Sequence, residues 1–330
     1  MVHTIFLTHA DDTRAQYYGD EALARLRELG EVRLNETGRP LTTAEVIELA
    51  AGCPVIVSYR ETEGPAEIFE NLPDLVAFVR CAVDIRNIDV GAASAAGVLV
   101  TRASPGFIDS VAELAVGMMV DLARGITAAT LAYRAGSAPE VAMGRQLRGS
   151  TLGIIGYGAI GRRLAELGLA LGMHVLVSDP HVQAPPTLRQ TDLATLLAAS
   201  DFVVCLAVAT AATENLIGHQ ELGRMKRTAY LVNVSRGNLV DEQALEEALR
   251  NHAIGGCAMD VGRAPDQMPS PHLARLPNVI ATPHVGGLVP EAIAHQALET
   301  TRQVAEILTG RPPQGAVNPE HATRLARLRG

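Results

Sequence analysis

Residues 152–161 read LGIIGYGAIG, and this stretch decides the fold of the segment around it. An apolar run typical of a buried strand leads into three glycines with the spacing G-x-G-x-x-G, at Gly156, Gly158 and Gly161. The sequence RRLAELGLALG follows, with leucines that recur at helical spacing. Together these features predict a strand, a tight glycine turn and a helix that begins at the turn.

This arrangement favours a binding site for the pyrophosphate of a dinucleotide. Glycines let backbone N–H groups approach a phosphate, and the N-terminus of a helix carries a partial positive charge. The next apolar run, HVLVSDP, ends in Asp179, 18 residues after Gly161. A carboxylate at this position accepts hydrogen bonds from the adenosine ribose and repels a 2′-phosphate, which predicts NAD rather than NADP. The alternative is an ordinary glycine-rich turn followed by a capping acid.

Composition limits the class of protein. A chain of 330 residues with 48% hydrophobic and 19% charged residues is expected to form about two globular domains. The net charge of -8 and the pI of about 5.7 argue against nucleic acid or anionic membranes as partners. We therefore expect a protein that acts on small molecules.

Cysteine usage and the absence of targeting signals favour a cytoplasmic protein. The N-terminal sequence lacks the features of a signal peptide, and no apolar run reaches the length of about 18 residues that a membrane helix needs. The cysteines are far apart and show no zinc-binding spacing, so no metal is predicted. We interpret them as reduced thiols of the core: Cys53, Cys81, Cys205 and Cys257.

Short apolar runs alternate with amphipathic stretches over residues 1–104 and again from Thr151 onward. This alternation predicts an α/β protein with two doubly wound parallel sheets, one in each domain. The helix predicted at 109–124 is apolar over much of its circumference, so it must be covered by another domain or another subunit. Of these two, we expect the contact of a homodimer.

Three polar side chains follow predicted strands of the second sheet. Arg236 lies after AYLVNVS, Asp260 after GGCAM and His284 after NVIATP. A guanidinium can bind a carboxylate with two parallel hydrogen bonds, and an imidazole can give a proton to a ketone oxygen. Each residue alone is compatible with a structural role. Their shared position at carboxyl ends of strands, where open α/β sheets bind ligands, favours a catalytic site.

The ordered motifs GIIGYGAIG, SDP, VNVSRGNLVDEQAL, AMDV and NVIATPHVGG resemble those of the D-isomer-specific 2-hydroxyacid dehydrogenases, over about residues 87–308. The resemblance implies a Rossmann NAD-binding domain (105–289) inserted into a flavodoxin-like substrate domain (1–104 and 290–330). It also implies that Arg236 binds the carboxylate and keto group of a 2-oxo acid. His284 would then be the general acid/base, and Asp260 would lie near the nicotinamide carboxamide.

The sequence thus predicts an NAD-dependent reductase of small 2-oxo acids. The residues expected to bind the cofactor are Gly156, Gly158, Ala159, Ile160, Gly161, Asp179, Val234, Asp260, His284 and Gly286. The residues expected to bind the substrate are Tyr59, Ala82, Val83, Asp84 and Arg236, with Arg60 and Thr62 as further candidates in the same loop as Tyr59.

The segment AMDVGRAPDQ departs from the family pattern. Family members usually carry a Glu that pairs with the catalytic His, and Pro265 stands at that position here. A carboxylate beside an imidazole stabilises its protonated form and raises its pKa. Without the Glu, we expect the limb of the pH–rate profile for reduction of the 2-oxo acid to lie at unusually low pH, unless Asp266 reaches His284. The formate dehydrogenases of the family, which need no proton transfer to the substrate, have a Gln there, so a different chemistry stays open. The loss also keeps open an NAD-binding regulatory or interaction protein with weakened catalysis.

A second departure lies in VRCAVDIRNIDV. Ala82, Val83 and Asp84 stand where the family has a G-V-G-like loop that holds the substrate carboxylate, and Arg86 replaces a usual Asp. Two like charges about 4 Å apart repel by about 4 kcal/mol at an effective dielectric constant of about 20. Asp84 therefore either points away, paired with Arg86 or Arg80, or meets a cationic or hydroxyl-rich group of the substrate.

Overall fold

The computed structural model describes residues 3–329 except for the side chain of Asp266, so the prediction made for that side chain lies outside the described residues. The chain divides into two compact units. Unit 1 comprises Met1–Gly106 and Val289–Gly330, and unit 2 comprises Phe107–Leu288. Both are α/β units built on parallel sheets, which confirms the predicted fold class.

The N-terminal segment of unit 1 forms a five-stranded parallel sheet in the order β2-β1-β3-β4-β5, the order of flavodoxin-like folds. β3 and β4 are buried along their whole length because helices cover both faces of such sheets. The elements are β1 (Thr4–Ala10), α1 (Asp11–Tyr17), α2 (Asp20–Leu29), β2 (Glu31–Asn35), α3 (Thr43–Leu49), β3 (Val55–Ser58), α4 (Ala66–Asn71), β4 (Ala77–Arg80), α5 (Val90–Ala95) and β5 (Leu99–Arg102).

Unit 2 begins with two helices and continues as an alternating series of strands and helices. Its elements are α6 (Ile108–Arg124), α7 (Ile126–Arg134), β6 (Thr151–Ile155), α8 (Ala159–Ala170), β7 (His174–Ser178), β8 (Arg189–Gln190), α9 (Leu193–Ala199), β9 (Phe202–Cys205), α10 (His219–Arg224), β10 (Tyr230–Asn233), α11 (Glu242–Arg250), β11 (Gly256–Met259), α12 (Pro271–Ala274) and β12 (Val279–Ala281).

The sheet of unit 2 has seven parallel strands in the order β12-β11-β10-β9-β6-β7-β8. The chain moves from β6 toward β7 and β8 on one side, and from β9 toward β12 on the other. The strand order therefore reverses between β6 and β9. Open α/β sheets bind ligands at the carboxyl ends of strands beside such a reversal.

The final helix, α13 (Pro290–Leu308), returns to unit 1. Its residues Ala297, Val304 and Ile307 are buried in the same cluster as residues of β1, β3 and β4. Farther along, Ala316 forms an antiparallel bridge with Thr101 of β5. Residues from both ends of the sequence thus build one core.

The apolar circumference of α6 is covered within its own unit. Its buried residues pack against β6, β9 and neighbouring elements of unit 2, so a second subunit is not needed to explain its composition. Exposed large apolar side chains occur instead on α7 and in the segment after it: Ile126, Leu131, Tyr133, Val141 and Met143.

All four cysteines are buried free thiols, as the sequence predicts. Over residues 3–329 no single helix is long and apolar enough to cross a membrane. Only α6 and α7 taken together have the length and apolar composition of a span, and these two helices are bent by 66° relative to each other. The described His, Cys, Asp and Glu side chains form no group of three that could hold a metal ion.

Candidate active site

Six strands of unit 2 end at the same level of the sheet, because their last residues are paired across it. The register pairs their last residues in spatial order, which is Ser178, Ile155, Cys205, Asn233, Met259 and Ala281. The residues that follow these ends are therefore neighbours along a single edge. Parallel strands are about 4.8 Å apart, so the ends of β10 and β12 are about 10 Å apart.

The glycine turn after β6 has the packing that a pyrophosphate site requires. Gly156 has a φ of 96°, and a Cβ there would be 2.6 Å from the carbonyl oxygen of Leu206. A Cβ at Gly161 would be 2.2 Å from the carbonyl oxygen of Gly156. A Cβ at Gly158, the N-cap of α8, would meet nothing within 4 Å. The first and third glycines are thus required by packing, while the second leaves open space at the helix N-terminus for a phosphate.

Asp179 is held against this turn as a carboxylate. Its Oδ2 accepts a hydrogen bond from the backbone N–H of Tyr157 at 2.7 Å, and its Oδ1 accepts from those of His181 and Val182 at 2.8 and 2.9 Å. Partial burial raises the pKa of Asp179, but the three backbone donors outweigh burial and bring the pKa below its ordinary value. Asp179 therefore carries a negative charge beside the glycine turn at neutral pH.

Arg236 is positioned by the end of β10. The Nδ2 of Asn233 donates to the carbonyl oxygen of Arg236 at 3.0 Å, and the Oδ1 of Asn233 accepts from the backbone N–H of Ser235 at 3.1 Å. The Ser235 hydroxyl donates to the carbonyl oxygen of Ala207 after β9 at 2.7 Å. Sequence reasoning missed Asn233, although an Asn two residues before a Ser at a strand end is a recognisable turn signal.

His284 lies in a segment that Asp260 holds in place. Asp260 is buried; its Oδ1 accepts from the Thr282 hydroxyl at 2.6 Å and the Val285 N–H at 2.8 Å, and its Oδ2 accepts from the Gly286 N–H at 2.8 Å. His284 has a φ of 55°, a left-handed conformation that is uncommon outside glycine. Both Asp260 oxygens thus already bind this chain, which adds a structural role to the predicted one.

The segment after β11, which departs from the family pattern in sequence, forms a tight turn. Pro265 begins a 3-10 turn, Pro265–Gln267, in which Gln267 has a φ of 58°. The Gly262 N–H donates to the carbonyl oxygen of Gln267 at 2.8 Å, which closes the turn. Proline offers no carboxylate at this position, and the role of Asp266 stays a prediction.

In unit 1, Ala82, Val83 and Asp84 follow β4. The Nε of Arg86 is 3.0 Å from both carboxylate oxygens of Asp84, and its Nη2 is 2.5 Å from Oδ2. The pairing with Arg86 that the sequence allows is therefore present. The positive charge of Arg86 opposes the negative charge that Asp84 brings to this loop.

The loop after β3 carries Tyr59, Arg60 and Thr62. The ring of Tyr59 packs against that of His9, with centroids 5.0 Å apart, and burial raises the pKa of Tyr59 to about 12. The Arg60 guanidinium lies 6.0 Å from the centroid of the Tyr59 ring. Thr62 is buried, and its hydroxyl bonds to that of Thr8 at 2.7 Å. Thr62 thus has a structural role, because this hydrogen bond attaches the loop to Thr8 of β1.

Residues 116–286 match the family model described as the NAD binding domain of D-isomer specific 2-hydroxyacid dehydrogenases. The chain belongs to this family. The matched residues include the glycine turn, Asp179, Arg236 and His284 and lie within unit 2, which is accordingly the NAD-binding unit of a 2-hydroxyacid dehydrogenase family member.

Individual relatives agree with the family match. The chain is 33% identical to a D-3-phosphoglycerate dehydrogenase of Methanocaldococcus jannaschii over 91% of its length. It is 31% identical to a glyoxylate reductase of Korarchaeum cryptofilum, with 91% of this chain and 93% of that enzyme covered. The NAD-complexed D-isomer specific 2-hydroxyacid dehydrogenase of Lactobacillus delbrueckii ssp. bulgaricus has a TM-score of 0.81 and 26% identity, with 96% of this chain and 100% of that chain covered.

The chain spans 51% to 58% of the length of three D-3-phosphoglycerate dehydrogenases to which it is similar.

Proposed function

We propose that the protein is an NAD-dependent oxidoreductase that reduces a small 2-oxo acid to the corresponding 2-hydroxy acid. The observation that carries this proposal is that six strands of the seven-stranded sheet end in register with one another. It places the glycine turn, Asp179, Arg236 and the segment that bears His284 after strand ends that are in register. The names of two relatives, a hydroxypyruvate reductase and a glyoxylate reductase, support a short 2-oxo acid as the class of substrate.

In the proposed reaction, NADH held by the glycine turn and Asp179 would supply a hydride to the carbonyl carbon of the 2-oxo acid. Arg236 binds the carboxylate with two parallel hydrogen bonds and so fixes the orientation of the carbonyl group. As the carbonyl π pair moves to oxygen, the protonated imidazole of His284 gives its proton to that oxygen and becomes neutral. Asp260 keeps the backbone of the His284 segment in place. Tyr59, Ala82, Val83 and Asp84 are the proposed substrate residues of unit 1.

The test is NADH oxidation by the purified protein with glyoxylate, hydroxypyruvate, pyruvate and phenylpyruvate, from acidic to neutral pH. We expect turnover with at least one acid, and its loss in His284→Ala with NADH binding retained. His252→Ala is the matched control, because His252 is an exposed histidine of the same unit with a similar φ of 52°. Absence of turnover with every acid would contradict the proposal.

Pro265 favours a second candidate function, an NAD-binding regulatory or interaction protein with weakened catalysis. If this candidate is correct, the protein binds NADH tightly but oxidises it with none of the acids. Pro265→Glu would then create activity, because the added carboxylate stabilises a protonated imidazole. In an active enzyme, Asp266→Asn should move the pH limb to lower pH if Asp266 supports His284.

We further propose a cytoplasmic homodimer that has small molecules, and neither nucleic acid nor membrane, as its partners. The sequence predicts the dimer contact on the helix at 109–124, which is α6 in the structure. Because α6 is covered within unit 2, the proposal extends the contact to α7 and the segment around Val141 and Met143, whose side chains are exposed. Large exposed apolar patches often mark protein interfaces.

A further inference from the structure

Arg80, the last residue of β4, joins two loops of unit 1. Its Nη1 donates to the carbonyl oxygen of Tyr59, and its Nη2 donates to the carbonyl oxygen of Thr62 and to the Oδ1 of Asn87, both at 2.8 Å. Tyr59 and Thr62 belong to the loop after β3, whereas Asn87 lies at the end of the loop after β4. A single guanidinium therefore fixes the position of one loop relative to the other.

Asn87 also connects the loop after β4 to the segment after β3. Its Nδ2 donates to the carbonyl oxygen of Arg60 at 3.2 Å, and its own carbonyl oxygen accepts from the Gly64 N–H at 2.9 Å. The loop that contains Ala82, Val83 and Asp84 is thus anchored at both ends, because Arg80 immediately precedes it and Asn87 follows it.

The charge of Arg80 is also unusual. The side chain is fully buried, and all three of its acceptors are neutral oxygens. Its Nε has no hydrogen-bond partner among the described residues, and the carboxylate whose charge acts on it is that of Asp84. Burial lowers the pKa of Arg80 to about 10, so the group remains a cation at neutral pH. Burying a cation whose hydrogen bonds all go to neutral oxygens is costly, which favours a role in attracting an anion.

We infer that Arg80 is a positioning residue for the substrate carboxylate: it orders the two loops of unit 1 and makes their surroundings electropositive. This inference rests on the proposed function, because the ligand is the carboxylate of the 2-oxo acid. Arg80 acts through the backbone of the loops and through its charge. It does not need to contact the substrate.

The test compares three variants that remove different parts of this arrangement. Asn87→Ala removes the amide connection and leaves the buried cation, Arg80→Lys keeps a cation but not the planar three-acceptor geometry, and Arg80→Met removes both. Asn71→Ala is the matched control, since Asn71 is an exposed residue of unit 1 whose Nδ2 also donates to a backbone carbonyl, that of Glu67.

Steady-state kinetics with the best 2-oxo acid and calorimetry of oxalate binding to the NADH-saturated protein are the measurements. We expect Asn87→Ala and Arg80→Lys to raise the KM for the acid and weaken oxalate binding by about tenfold each, with a larger effect for Arg80→Met. The Kd for NADH and the pH profile should stay unchanged. If Arg80→Met fails to fold, the other two variants decide, because thermal unfolding will show whether they are folded.

Three results would overturn the inference. If the wild-type protein reduces an acid and the variants keep KM and oxalate affinity within about twofold of it, the inference fails while the proposed function stands. Equal losses of NADH and oxalate affinity would show a merely structural role. If the wild-type protein neither reduces a 2-oxo acid nor binds oxalate, the proposed function and this inference fail together.

Discussion

At the scale of the single residue, His9 stands out as a buried imidazole without a hydrogen bond. Only 1% of its surface is exposed, and within the described part of the chain neither ring nitrogen has a partner. Its ring packs between those of Tyr18 and Tyr59, with centroids 5.0 Å away in both cases. Burial, followed by the charges of Arg80 and Arg14, lowers the pKa of His9 to about 3. The folded protein therefore keeps this imidazole neutral.

The stability of the protein should consequently fall in mild acid. In the unfolded chain, His9 has the ordinary histidine pKa of about 6.5, so between pH 6.5 and about 3 the unfolded chain binds more protons than the folded one. The stabilisation is complete above pH 6.5 and is lost as pH falls through this window, with a slope of up to about 1.4 kcal/mol per pH unit. Urea unfolding at several pH values measures it. His9→Phe should flatten the slope, whereas the exposed His174→Phe should not; equal slopes in all three proteins would contradict the prediction.

The choice of cofactor provides a second prediction at this scale. Asp179→Ser removes the carboxylate that would repel a 2′-phosphate, so we expect the preference for NADH over NADPH to narrow by at least about tenfold in kcat/KM. Asp192→Ser is the control, because Asp192 also accepts a backbone hydrogen bond in unit 2, from Thr195 at 2.8 Å, but does so at the N-cap of α9. An unchanged preference in Asp179→Ser would show that another group discriminates between the two cofactors.

At the scale of the element, the connection between β11 and the segment after β12 determines the conformation that His284 adopts. In Asp260→Asn, an amide nitrogen replaces one carboxylate oxygen and cannot accept a hydrogen bond. At least one of the three hydrogen bonds to the segment is then lost. We expect kcat to fall by about tenfold or more, because a small displacement of an acid/base group is costly. Stopped-flow measurement of NADH oxidation tests this.

Asp241→Asn is the matched control for that experiment. Asp241 is an N-cap that also accepts two backbone N–H hydrogen bonds in unit 2, from Gln243 and Ala244. It should lower stability without a comparable change in kcat. Equal effects of the two substitutions on kcat would mean that Asp260 contributes only to the stability of the unit.

The elements themselves could largely be predicted from the sequence, because their signals are local. The strand before Gly156, the helix after it and the alternation of apolar runs all lie within short windows, and the structure has the predicted parallel sheets. The use of the Asp260 oxygens could not be predicted, since it depends on the register of β11 against β12. Arg80 was missed as an anchor for a similar reason: its acceptors lie 7 to 21 residues away.

The interpretation of α6 shows a different limit of sequence reasoning. Its composition indicates that the helix must be covered, but composition does not say by what. Val111, Ala115 and Met119 pack against strands and helices of the same unit, so the covering elements come from the chain itself. A hydrophobic pattern reports burial, whereas the identity of the neighbour depends on the tertiary fold.

At the scale of the whole molecule, the proposed dimer predicts a change of mass in solution. Val141 is 99% exposed and Met143 is 101% exposed, so replacing both with Asp should leave the core intact while opposing burial of this segment against a second copy. Light scattering should show a dimer for the wild-type protein and a monomer for the double variant. Leu169→Asp, at a half-exposed position of α8, is the control. A wild-type monomer would contradict the proposal.

The discontinuity of unit 1 has a consequence for synthesis on the ribosome, where a chain emerges from its N-terminus. All of unit 2 is translated before α13, which supplies Ala297, Val304 and Ile307 to the core that β1, β3 and β4 begin. The NAD-binding unit, whose residues are continuous, can therefore fold while the sheet translated first still exposes an apolar face. Until translation reaches α13, this face is open to chaperones or to aggregation with other nascent chains.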